Sequence, residues 1–596
     1  MSSSTHSRNR LKRSLLSLAT LAALGAGTAH ASSPAQHRWI STRTSVSQHL
    51  DAHFDGYAPD DRPVSIVVSL KLRNQDALNE YTREVSRPGS LVYRRYLSRD
   101  EAKATFAPTD EQAQKVAAYL REHGFTDVQV SSNNLLVTAK GNVGSSRQAF
   151  QTSVAEYVRG GVRAIANASE VKVPEELSQV DRVLGLDTVD QLQTYSRPPS
   201  EARPDYTVTA SGAHSYDPEE FAKVYHAVDT GPALNTTVAV IGWGNMTNPQ
   251  KDLAKLIADK GLPNVPTSIY SVTQTSNDDS DQVEWAMDAQ AIVGISGGVK
   301  KLIFYTSGGQ YTRVNDQGSS SGANTAEILK AINRAVSDNE AKVLNMSWGI
   351  RECGSSTGSG FADSAFQLGV AQGQTFVASS GDNGAYPCAL PFRNLPANGT
   401  YGDRSNPQVS YPASSEFVVA VGGTTLTTTP QDAYISEKSW PYSGGGTSTL
   451  RARPAWQPTA GKGRQVPDVA FDADWDNSPI RFYVTASSNS GVSASRYVTN
   501  GGTSLSAPLF AGAWARLETA NGNRLGFGAP AIWKYAASNQ AKLPLRDVTT
   551  GDNGGYSAAA GWDAATGWGN FDIDAVARFI ASNPGFIDAT NASTKP

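Results

Sequence analysis

The run Gly501-Gly502-Thr503-Ser504-Leu505-Ser506-Ala507-Pro508 sets a serine on a glycine turn ahead of an apolar, helix-like stretch. A serine so placed is open to a ligand, and the first N–H groups of the helix face any oxyanion formed beside it. Pro508 is read as lying near the first turn, where its missing N–H costs little. Ser504 is therefore a candidate nucleophile, and a serine nucleophile needs a base. The chain has eight histidines. His6 and His30 fall in an N-terminal targeting-type segment, and His37, His49, His53 and His123 in a first domain. His214 and His226 precede the first strand of the later region, so none stands after a strand, where a triad histidine is presented. A lysine base stays open in principle. Carboxylates offer another answer. Glu284 and Asp288 lie four apart in DQVEWAMDAQAIVG, so they share one face of a helix with apolar flanks. Two such carboxyls repel and share a proton, which raises at least one pKa. Asp382, in SSGDNG after the strand-like TFVAS, is a candidate acid that, kept protonated, would donate to an oxyanion. Toward the C-terminus, Asp547-Val548 and Asp563 in AAGWD flank Gly-rich turns. Their carboxylates and the carbonyls between them suit a hard cation such as calcium.

These residues need a frame. From about residue 216, short apolar runs (TVAVIGW, KLIFYTS, KVLNMSW, TFVASSG, FVVAVGG) alternate with helix-like segments. In one of these, Asn324 is placed to cap a helix with Glu327 three residues on, and Ile328, Ile332 and Val336 line one face. The alternation predicts an α/β domain with a parallel sheet covered on both faces and function at the strands' carboxyl ends. Residues from about 35 to 195 read differently. VSIVVSLKLRN alternates like a strand, DEQAQKVAAYLREHG is an amphipathic helix, and VQVSSNNLLVTAKG is a hairpin, which together make a small α+β module. Ser196–Ser215, rich in Ser, Pro, Ala and Thr, reads as an exposed linker open to proteolysis. VAVIGWGNM lacks the third glycine of a dinucleotide loop and is set aside.

The chain opens with basic RNRLKR, an apolar run from Leu15 to Leu24, and Ala29-His30-Ala31. That is a signal peptide over 1–31, too short in its apolar part to span a membrane, and it predicts a secreted product, extracellular or periplasmic. In an oxidising compartment the pair Cys353 and Cys388 is expected to form one disulfide. With 596 residues the chain should hold at least two domains, and its 39% hydrophobic and 18% charged content is globular. A net charge of −3 provides no electrostatic case for nucleic acid.

Taken together, VSRPGSLVYRRYLSRDEAKATFAPT, EWAMDAQAIVG, AVSDNEAKVLNMSWG, QTFVASSGDNGAYPC, GGTSLSAP and GWDAATGWG resemble the sedolisin family of serine-carboxyl peptidases along nearly the whole chain. The resemblance implies a subtilisin-like fold with a seven-stranded parallel sheet, preceded by an inhibitory activation prodomain over 32–207 and followed by the catalytic domain over 208–596. It implies that Ser504 is the nucleophile, Glu284 its base, Asp288 the acid behind that base, and Asp382 the oxyanion stabiliser. It implies one calcium ion on the side chains of Asp547 and Asp563 and the carbonyls of Val548, Ala559 and Gly561, Ala559 standing where the family often has glycine. It implies that Ser347, Trp348 and Gly349 pair with the backbone of protein and peptide substrates, and it matches Cys353 and Cys388 to the family's disulfide. The expected product is a monomeric endopeptidase active in acid, free of the membrane once its signal is removed. Its prodomain acts as intramolecular inhibitor until the chain cuts itself near Val208–Gly212. A histidine-dependent subtilisin fails on the histidine census, and a calcium-stabilised binding protein without catalysis is the non-enzyme rival.

Overall fold

The computed structural model describes residues 38–586, apart from 48, 50–51, 160, 199–213, 274–275, 309–310, 316–317, 354–357, 390–404 and 541, and of 311–322 and 584 the backbone alone. The signal peptide over 1–31 and the junction near Val208–Gly212 lie outside the described residues.

Seven parallel strands form the main sheet, in the order Thr267–Ser271, Val299–Ser307, Ala233–Trp243, Val343–Met346, Thr375–Ser379, Val418–Thr428 and Val469–Asp472. An eighth strand, Tyr434–Ser439, runs antiparallel against the far end of Val418–Thr428. Consecutive residues Val238, Ala239, Val240 and Ile241 are all fully buried, which requires both faces of the sheet to be covered. Helices Gln282–Ser296 and Thr503–Ala520 pack on each other and on the central strands. Every residue from Glu284 to Ser296 is buried, so this helix lies wholly inside the protein. Gly512 is what lets the two helices meet, since a Cβ there would stand 2.4 Å from Ile295 Cγ2 and 2.8 Å from the Ile292 carbonyl. The helix Thr325–Asp338 is capped as expected, the Asn324 side chain accepting from the Glu327 N–H.

The N-terminal module is an antiparallel sheet in the order Thr126–Val130, Leu136–Asn142, Pro63–Leu70 and Val180–Leu184, with helix Asp110–Glu122 beside it. Its strand Pro63–Leu70 departs from the alternation expected of a half-exposed strand. Ile66 and Val68 point into the module's own core, while Val67 joins the core of the larger domain. The module therefore docks through its sheet, and both faces of that strand are buried. At the docking surface Asn133 and Asn333 exchange amide hydrogen bonds of 2.8 and 3.1 Å inside the protein. No helix among the described residues is long and apolar enough to cross a membrane.

Candidate active site

Ser504 is the second residue of helix Thr503–Ala520 and is completely buried. Pro508 is not in the first turn, as its sequence position suggested, but is the sixth residue of this helix. Its absent N–H would have bonded the Ser504 carbonyl. That carbonyl instead accepts from Ser347 Oγ at 3.3 Å, so the proline's cost is offset by a residue of the neighbouring strand. Ser347 Oγ also lies 2.5 Å from Asp288 Oδ1 and accepts from Asn345 Nδ2 at 2.9 Å. A protonated Asp288 would donate to Ser347 and leave the serine's own proton for the Ser504 carbonyl. Asn345 and Ser347 thus hold the carboxyl in place, a role their sequence positions did not reveal.

Glu284 and Asp288 are both buried, one helical turn apart as their spacing required. Burial holds both above the ordinary carboxylate range, and for Asp288 the charge of Glu284 adds to it. Opposing this at Glu284 are the hydroxyls of Ser196 and Ser504. Neither Glu284 oxygen has a hydrogen-bond partner of ordinary geometry among the described residues, although both are buried. Asp382 approaches from the end of strand Thr375–Ser379. Its Oδ1 accepts from Thr503 N–H and Thr503 Oγ1, each at 2.8 Å. Its Oδ2 is buried without a partner among the described residues, and burial pushes its pKa up to about 7 against the pull of those bonds. The two later histidines are engaged elsewhere: His226 Nδ1 is 2.8 Å from Asp572 Oδ2, and His214 Nε2 is 3.6 Å from Asp432 Oδ1.

The cleft in front of Ser504 is filled by the chain itself. Gln193 and Thr194 pair antiparallel with Gly349 and Trp348, so the strand carrying Ser347-Trp348-Gly349 holds a peptide backbone. Tyr195 N–H is 3.4 Å from the Ser347 carbonyl and 3.0 Å from Ser504 Oγ, while the Tyr195 carbonyl accepts from Ser504 N–H at 3.0 Å. Gly502, at φ +108, is needed here, because a Cβ would lie 2.2 Å from the Tyr195 carbonyl oxygen and 2.5 Å from Asp382 Oδ2. The tyrosine ring is buried against Gly349, where a Cβ would come within 2.7 Å of its hydroxyl, with Gly381 beyond and Ser410 and Arg351 near the phenol. The stretch read as an exposed linker from Ser196 thus begins inside the cleft, where Ser196 and Arg197 are half-buried. Sequence reasoning missed it because five residues of mixed type carry no period. Their place is set by strands more than 150 residues away.

Away from the cleft, the five expected calcium positions come together in one set of turns. Gly561 N–H donates to Asp547 Oδ2 at 2.7 Å and Ala559 N–H to Asp563 Oδ2 at 3.0 Å. Thr566 Oγ1 touches both the Val548 carbonyl and Asp563, and burial raises the pKa of Asp563. Two carboxylates, one of them desolvated, near the Val548 carbonyl supply oxygen donors of the type a hard cation takes. Cys353 and Cys388 form a disulfide, with Cα atoms 5.6 Å apart.

A subtilisin-like sheet that presents a serine among buried carboxyls defines a serine-carboxyl peptidase. Residues 50–189 match the family model for the pro-kumamolisin activation domain, and 268–569 match that for the subtilase family. The chain is 37% identical to sedolisin of Pseudomonas sp. (strain 101) over 95% of its own length and 96% of that protein. It is 37% identical to xanthomonalisin of Xanthomonas sp. (strain T-22) over 88% of its length and 66% of that protein. A solved Pseudomonas sedolisin, described as a serine-carboxyl proteinase complexed with two molecules of pseudo-iodotyrostatin, superposes with a TM-score of 0.54 at 37% identity, covering 62% of this chain and 99% of that one. The chain belongs to the sedolisin family and is a zymogen with an N-terminal activation domain.

Proposed function

We propose that this zymogen is an exported endopeptidase that works in acid, with Ser504 as nucleophile, Glu284 as general base, Asp288 as the acid behind it and Asp382 as oxyanion stabiliser. The observation that carries the reading is the Tyr195 carbonyl. It accepts from Ser504 N–H in a slot shared with the unpartnered Asp382 Oδ2, where a substrate carbonyl would develop charge. In the reaction Glu284 takes the Ser504 proton as Oγ attacks the carbonyl carbon, and Ser504 N–H and protonated Asp382 hold the oxyanion. Glu284 returns the proton to the leaving amine, then draws one from the water that clears the acyl-enzyme. Trp348 and Gly349 pair with the substrate backbone on the acyl side. The glycine-walled pocket holding Tyr195 favours a large aromatic side chain before the scissile bond.

Residues 1–31 then serve export, 32–207 act as intramolecular inhibitor, and 208–596 carry catalysis as a monomer. Asp547, Asp563 and the carbonyls of Val548, Ala559 and Gly561 would hold one calcium ion, which would tie the last turns together without entering the chemistry. Catalysis needs Asp382 neutral and one negative charge on the Glu284–Asp288 pair. Activity on a denatured protein should therefore fall as pH rises through about 7, where Asp382 ionises. A pH–rate profile that climbs from pH 5 to pH 8 would sink the carboxyl mechanism.

A further inference from the structure

Resting on that reading, we propose that the Tyr195–Ser196 peptide bond is the chain's own first cleavage site. The backbone is held on both sides of this one bond. Before it, Gln193 and Thr194 sit in the ladder with Gly349 and Trp348. After it, Arg197 N–H donates to the Gly501 carbonyl at 3.3 Å and Gly501 N–H to the Arg197 carbonyl at 3.1 Å, with the guanidinium 5.2 Å above the Trp475 ring. Between these clamps the Tyr195 carbonyl oxygen is the one bonded to Ser504 N–H, and Ser504 Oγ stands on the same residue, 3.0 Å from its N–H. The Ser504 N–H bonds to neither neighbouring carbonyl. The 194–195 bond lies on the ladder side of Ser504, and the 196–197 bond leads into the Gly501 pairing. Folding alone thus places this bond beside the nucleophile and its oxyanion donor.

In this state the Ser504 hydroxyl donates to the Ser347 carbonyl at 3.0 Å. Rotation of that hydroxyl toward Glu284 starts the reaction. Ser504 Oγ bonds to the Tyr195 carbonyl carbon while its proton moves to Glu284. The carbon–nitrogen bond to Ser196 breaks, and Glu284 returns the proton to the Ser196 amine. One water then hydrolyses the ester, leaving Tyr195 as a new C-terminus and restoring Ser504. The first processed chain accordingly begins at Ser196, upstream of the Val208–Gly212 junction, and any cut there is a later trim.

The test uses the full-length chain and Ser504→Ala, purified at neutral pH and brought to about pH 4. Samples at two protein concentrations roughly tenfold apart are quenched over seconds to minutes and read by intact mass and N-terminal sequencing. The earliest new N-terminus should be Ser196, its partner fragment should end at Tyr195, the rate should not depend on concentration, and Ser504→Ala should show neither. Tyr195→Ala should slow this cut roughly tenfold or more by emptying the pocket, and Ser196→Pro, which alters the leaving nitrogen, should abolish it. A first N-terminus elsewhere, in a chain that still digests added denatured protein, overturns the site and leaves the peptidase reading standing. So does a rate proportional to concentration, which would make the first cut intermolecular. Failure to digest either itself or denatured protein, or identical processing by Ser504→Ala, overturns the peptidase reading as well.

Discussion

Two groups of buried carboxyls lie in the same domain. Glu437, Glu518 and Glu352 sit in the structural interior, and Glu284 and Asp382 line the cleft. All have pKa values raised by burial: Glu437, Glu518 and Asp382 to about 7, Glu352 and Glu284 also upward. The shift alone does not separate them. What differs is how their oxygens are used. Glu437 accepts from Tyr225 Oη, Thr424 Oγ1 and Asn570 Nδ2. Glu518 accepts from the N–H groups of Leu525 and Gly526. Glu352 is ringed by the hydroxyls of Ser359, Ser414 and Ser448. Glu284, by contrast, has two buried oxygens without partners of ordinary geometry among the described residues, and Asp382 has one. A buried polar atom left unpaired costs free energy. Asp252 Oδ2 and Asp472 Oδ2 are unpaired as well among the described residues, so it is the position of Glu284 and Asp382 beside Ser504 that marks their oxygens for a reacting group.

The comparison breaks first on activity. Ser504→Ala and Glu284→Gln should each lower kcat/KM on a peptide with an aromatic residue before the scissile bond by about 10⁴-fold or more. Asp382→Ala should cost about 10²- to 10³-fold in kcat. Asp382→Asn, which keeps a neutral donor, should restore part of that loss and flatten the fall in activity above pH 7. Glu437→Gln should stay within a few-fold of the parent. If Glu437→Gln were as damaging as Glu284→Gln, the distinction by unpaired oxygens would fail.

It sharpens next on stability. A carboxyl whose folded pKa lies above its unfolded value of 4.5 favours the folded state while neutral. That contribution is full below about pH 4.5 and is lost as pH rises through the folded value near 7. Each of Glu437 and Glu518 should account for about 3 kcal/mol of this loss. Calorimetry of Ser504→Ala, which cannot digest itself, should show Tm falling between pH 5 and pH 8, and adding Glu437→Gln should make the fall shallower. A Tm that rises over this range would contradict the assignment.

The smallest effect is expected at the calcium positions. Chelation at neutral pH, or Asp563→Asn, should lower Tm by a few degrees, as loss of a ligand bound only by the native state does. An unchanged Tm on chelation would remove the ion from the account.

Much of this was legible in the chain. Alternating apolar runs and helical periods announced the parallel sheet, because both faces of such a sheet must be apolar. The four-residue spacing of Glu284 and Asp288 placed both on one helical face, since 3.6 residues per turn allows nothing else. The absence of a usable histidine was a matter of counting. Contacts between distant segments were not legible. No local rule puts Ser347 under the carbonyl that Pro508 leaves unbonded, turns Val67 toward a different core from Ile66 and Val68, or draws Tyr195 into the cleft. Sequence patterns report how a segment satisfies itself, through its own period, caps and turns. The partner that completes a buried group 150 or 300 residues away is chosen only when the whole chain packs, and there the tertiary structure decided which oxygens would be paired and which would be left to react.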